Sequence, residues 1–153
     1  MTAIPIDGPG RPNLVGFVER YRAALERRDL DAVCASYRLP LPVIRPDRQR
    51  TLETMEELRE EIAKILDFYA WAGMRTVELS QLHMATHEPG LDVATVTWRP
   101  RDAEGREVAA IDQTFAIRRT REGARIAAVI AHNEERRRLP IIRESLASLG
   151  SET

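Results

Sequence analysis

The sequence predicts an α+β fold, three N-terminal helices followed by a mainly antiparallel sheet and a short C-terminal helix. Three observations carry this. Apolar residues recur at i, i+3 and i+4 through the first 73 residues, the spacing of amphipathic helices. From residue 74 the pattern changes to alternation, the period of strands. The strand runs are separated by segments that contain glycine, where a positive φ is cheap. Helices first and a meander afterwards is the order of an α+β domain.

Each element has its own justification. Asn13 is an N-cap, and Leu14, Phe17, Val18, Tyr21 and Leu25 form the stripe of a first helix that ends near Arg28. Asp29 caps a second, short helix in "LDAVCASY". The stretch "LPLPVIRP" holds three prolines, which exclude a central strand and allow an edge strand over Leu41–Arg45. Thr54 opens a third helix, with Glu57 completing a capping box and Gly73 at the position just past its end. Residues 74–87 read as a strand that bends, 92–99 as the next, 107–119 as a long third and 125–133 as its return. The turns are "HEPG", "PRDAEG" and "TREG". In the tail, Leu139, Ile142, Leu146 and Leu149 stripe the last helix. The expected organisation is an extended arm over 1–12, one domain over 13–134, and a basic tail with its helix over 135–153.

Composition narrows the function. A chain of 153 residues suits a single domain that folds without disulfides or metal. Lys+Arg is 23 and Asp+Glu 24, a net charge of −1, so neither a nucleic-acid partner nor a membrane surface is expected. The single cysteine, Cys34, sits in an apolar helical context and reads as a reduced, buried thiol, which fits the cytoplasm. No run approaches the ~20 apolar residues of a membrane helix. Phosphate-binding glycine loops, GxSxG elbows and CxxC pairs are absent from the sequence, and no cofactor is expected.

The order helix, short helix, edge strand, long helix and four long strands resembles the nuclear transport factor 2-like superfamily, over roughly residues 13–133. Its nearest branch is similar to the SnoaL-like polyketide cyclases and ketosteroid isomerases. "RYRAALERRDLDAVCASY", with its Arg28-Asp29 turn, and the hairpin "DQTFAIRRTREGARIAAVIAH" carry the likeness. The resemblance implies a cone, a curved sheet wrapped around the helices with a ligand pocket in its mouth. It leaves the chemistry open, because the same fold serves isomerases, cyclases, hydrolases, dehydratases and non-catalytic binders.

The isomerase pattern transfers only in part. Tyr21 falls at the oxyanion tyrosine, Tyr37 at its supporting tyrosine, and Tyr69 resembles the third. The general-base aspartate is replaced by Arg45, and the protonated aspartate of the oxyanion hole by Phe115. Proton abstraction beside a ketone needs a base and an oxyanion hole, so ketosteroid isomerase activity is not expected.

The candidate catalytic residues are Tyr21 and Asp112, and the candidate ligand-binding residues are Tyr37, Arg45, Tyr69, Trp98 and Phe115. Asp112 lies among apolar neighbours in "VAAIDQTF". Facing inward, it would be a base with a raised pKa. Facing outward, as the count from the Gly123 hairpin places it, it would pair with an arginine of a neighbouring strand. His83, His87 and His132 show no metal-ligand spacing. A hydrolase reading would join Asp112 to an arginine such as Arg99. The expected ligand is small, apolar or carbonyl-containing, and the sheet's outer face, apolar at both parities in "VATV" and "IAAVIA", is expected to pair two copies of the chain. The alternative is a binding or dimerisation module with a vestigial pocket.

Overall fold

The computed structural model describes residues 14–132; the Asn13 cap, the arm over 1–12 and the helical tail over 135–153 lie outside them. Helix α1, Leu14–Arg27, forms because one stripe of it is apolar, and Leu14, Phe17, Val18, Tyr21, Ala24 and Leu25 are all buried. Arg28 ends it in the left-handed region, at φ 55°, and its guanidinium donates to the Met74 carbonyl at 2.9 Å. Asp29 caps α2, Leu30–Ala35, by accepting from the Ala32 N–H at 3.1 Å. Helix α3, Met55–Trp71, starts with the expected capping box. Thr54 Oγ1 accepts from the Glu57 N–H at 3.1 Å, and the Glu57 carboxylate accepts in return from the Thr54 N–H.

Six strands form one sheet: β1 (Leu41–Ile44), β2 (Gln49–Leu52), β3 (Met74–Glu88), β4 (Leu91–Asp102), β5 (Ile111–Thr120) and β6 (Gly123–Ala131). Their spatial order is β2-β1-β6-β5-β4-β3. Every neighbouring pair is antiparallel except β1–β6, which runs parallel through Val43–Val129 and Ile44–Ile130.

Two expectations are corrected. The strand at Leu41 is not at the edge, because the chain reverses at Arg45–Arg48 and returns as β2, which takes that place. Pro42 is tolerated there because the ladder to β6 begins one residue later, at Val43. The third long strand begins at Ile111 rather than 107, while β4 runs on to Asp102. Its extension is held by Val108 N–H donating to the Pro100 carbonyl and by an isolated bridge between Arg101 and Glu107.

Side chains alternate between the two faces of each strand. Registers carry one inward row across four strands: Val43, Val129, Phe115 and Ala94 stand side by side. The helices cover this concave face, and Phe115, Ala94 and Val129 belong to the same core as Leu58 and Val33 from the helices. A bulge interrupts β6, not β5: Ala116 pairs with Ala128 and Ile117 with Ile126, which leaves Ala127 over. The face of Asp112 therefore follows from the simple hairpin count.

Candidate functional site

On the concave face the fold gathers four of the candidate rings. Tyr21 reaches the sheet from the buried stripe of α1. Tyr37 follows α2 and is clamped to β6 by two backbone bonds, Arg38 N–H to the Ile126 carbonyl at 2.8 Å and Ile126 N–H to the Ser36 carbonyl at 2.7 Å. The two phenols are hydrogen-bonded to each other. The Tyr21 ring lies edge-on to Phe115 at 5.7 Å and tilted on Trp98 at 5.6 Å, with the Tyr37 ring edge-on at 5.9 Å. Trp98 Nε1–H donates to Gln113 Oε1 at 2.9 Å, which fixes the indole. A phenol pair holds two protons and uses one between its own oxygens.

The remaining candidates stand elsewhere. Tyr69 is buried on α3 with its ring 5.9 Å from Phe68. Asp112 is on the other face of the sheet, where its carboxylate accepts from Thr97 Oγ1 at 2.7 Å. Arg99, which the hydrolase reading would join to Asp112, pairs with Glu107 at 2.6 Å. His132 shares the outer face. Its Nε2 is 2.6 Å from Thr114 Oγ1, which in turn is 3.1 Å from Thr95 Oγ1. Among the described residues no group of three His, Cys, Asp or Glu is placed to hold a metal.

Arg45 lies at a separate feature of the concave side. A cleft of about 110 Å³ opens between the β1–β2 hairpin and α3, lined by Val43, Arg45, Arg48, Arg50, Leu52 and Glu61. Val43 stands two strands from Phe115, roughly 10 Å across the sheet. The cleft and the ring cluster are therefore different places on one face.

Sequence reasoning missed a buried ion pair. Arg119 Nε stands 2.6 Å from Asp92 Oδ2, at an angle short of a directed hydrogen bond, and Thr86 Oγ1 donates to the other carboxylate oxygen. Asp92 is 1% exposed. The signal was its parity, since Asp92, Ala94, Val96 and Trp98 all fall on one face. Asp92 is six residues from Trp98, roughly 20 Å along β4, and so is remote from that indole.

The family model described as NTF2-like protein (DUF6841) matches residues 14–134. The chain belongs to this NTF2-like family. Solved structures agree on the fold. A protein of unknown function with a cystatin-like fold from Nostoc punctiforme superposes with a TM-score of 0.63 at 13% identity, covering 78% of this chain and 86% of that one. An NTF2-like protein of unknown function from Pseudomonas putida gives 0.60 at 17%, covering 82% and 90%. A ketosteroid isomerase-like protein from Erwinia carotovora gives 0.55 at 17%, covering 77% and 91%. No curated protein matches in sequence. At these identities the likeness is one of fold. Among the described residues no helix is long and apolar enough to cross a membrane.

Proposed function

We propose that this NTF2-like protein binds a small, largely apolar molecule on the concave face and hydrogen-bonds its carbonyl or hydroxyl oxygen through the Tyr21–Tyr37 pair. The observation that carries this reading is the phenol pair itself, held among Trp98 and Phe115. Rings supply apolar area and shape, and the pair supplies one oriented polar contact. Ketosteroid isomerisation is not part of the reading. Asp112 faces outward, and Asp92 is engaged by Arg119 and Thr86. A panel of small apolar ketones, followed by thermal shift, tests it. Ketones should raise the melting temperature of the native chain, and Tyr21→Phe should lose that rise. A panel with no stabilising member would refute the reading. A β,γ-unsaturated steroid ketone should pass through unchanged.

A second reading, association of two copies through the outer face of the sheet, is favoured by one observation. Ile130 is 38% exposed on that face, opposite Thr114 and near Ala116 and Ala128. Sedimentation of the native chain should give a dimer, and Ile130→Glu a monomer. A monomeric native chain would exclude it.

A further inference from the structure

We infer that the free edge of β3 pairs with the same edge of a second copy of this chain, antiparallel and centred on His83. β3 is the last strand of the sheet, so one side of its backbone has no neighbouring strand. Helix α1 covers only the start of that side. Glu26 Oε1 accepts from the Val77 N–H at 2.9 Å, Arg22 Nη1 donates to the Val77 carbonyl at 3.1 Å, and Arg28 donates to the Met74 carbonyl. Further along, among the described residues, nothing bonds to the outward backbone groups of Gln81–Ala85.

Proteins keep such an edge from pairing by placing charges, proline or bulges on it. From Leu79 to His87 the chain, "LSQLHMATH", has no Lys, Arg, Asp, Glu or Pro. Bulges are present at Ser80 and His87, but they bracket a regular run, in which Gln81 to Thr86 pair with Thr97 to Asp92 without a break. The edge is thus unguarded where it is regular, and the bulges limit any added pairing to one short ladder. The run also complements itself. A two-fold axis sets residues of one face opposite each other. Centred on His83, it brings Leu82 opposite Met84 of the second copy, and Met84 opposite Leu82. Both are half-buried, on the side of Val96 and Ala94, and each gains an apolar neighbour. On the other side, exposed Gln81 meets exposed Ala85 of the second copy. A centre at Met84 would instead set Leu82 against Thr86, whose hydroxyl donates to Asp92.

Five residues a side bury far less than a standard interface, so this association is weak and concentration-dependent. It uses neither the phenol pair nor Ile130. The full-length Ile130→Glu variant is the parent for the test, because that change removes association through the outer face. Sedimentation of this parent should show a monomer at low micromolar protein and a growing dimer fraction at several hundred micromolar. Adding Gln81→Lys and Ala85→Lys together sets like charges directly opposite each other twice, and should weaken the dimer about tenfold. Adding Gln81→Glu and Ala85→Lys sets opposite charges there, and should leave the dimer at least as tight as in the parent. All three substitutions are at exposed positions, and melting temperatures check that each variant is folded. A parent that stays monomeric throughout, or a dimer indifferent to both double variants, would overturn the edge pairing. Equal weakening by both double variants would overturn the register centred on His83.

Discussion

Asp92 and Asp112 stand on adjacent strands and face opposite ways. Asp92, on the concave side, is buried and held by Arg119 and Thr86. Asp112, on the outer side, is half-buried and takes a hydrogen bond from Thr97. In sequence Asp112 is the more unusual of the two, because it follows an unbroken apolar run, Val108, Ala109, Ala110 and Ile111. In the fold Asp92 is the constrained one. Flanking residues on a strand belong half to each face, so apolar neighbours say little about where a charge goes. Parity with Trp98 says more.

The comparison makes its largest prediction at the buried pair. Asp92→Ala leaves Arg119, whose side chain is 9% exposed, without its counter-charge, and should cost about 3–5 kcal/mol in chemical denaturation. Asp112→Ala should cost about 1 kcal/mol, the scale of one hydrogen bond. Equal losses at the two sites would break the contrast. Phe115→Ala tests the same face without charge. It empties a site 1% exposed and should cost about 3–5 kcal/mol, against about 1 kcal/mol for Thr114→Ala on the outer side.

A smaller effect should appear at Cys34. The thiol is buried, and burial is the chief reason its pKa is raised. An aromatic disulfide reagent should label it far more slowly in the native protein than after unfolding. Fast native labelling would mean that the core beneath α2 opens readily.

The smallest effect is at the Asp29 cap. The Ala32 N–H, with Arg27 adding to it, holds this carboxyl below the usual carboxylate range. A folded pKa lower than the unfolded value of about 3.9 stabilises above that value, and the gain disappears as pH falls through the folded pKa. Asp29→Asn keeps a side-chain oxygen for the cap and should remove this part of the acid dependence. Denaturation series at pH 7 and below pH 4 read the difference.

Most of the helical layer was legible because caps are local. Thr54 with Glu57, Asp29 with Ala32, and Gly73 at φ 81° each act within a few residues. Strand β2 was not legible, for "QRTL" shows neither alternation nor an apolar run, and it forms because the Arg45–Arg48 turn returns the chain beside β1. The ring cluster was partly legible through the stripe of α1. Arg48, Arg50 and Glu61 could not be joined to Arg45 in advance, since they meet only when that unforeseen hairpin lies against α3.

The extra residue in β6 reaches beyond its own strand. Ile126 and Val129 are three apart, yet the bulge lets both point into the core. On the side away from β5, β6 meets Tyr37 at Ile126 and β1 at Val129. Three steps along β6 are therefore matched by six along the neighbouring chain, from Tyr37 to Val43. That surplus must loop away from the sheet between the Arg38 N–H bond to Ile126 and the first residue of β1, which makes Leu39–Pro40 the place where chain length can vary with least disturbance to the phenol that precedes it and the arginine turn that follows.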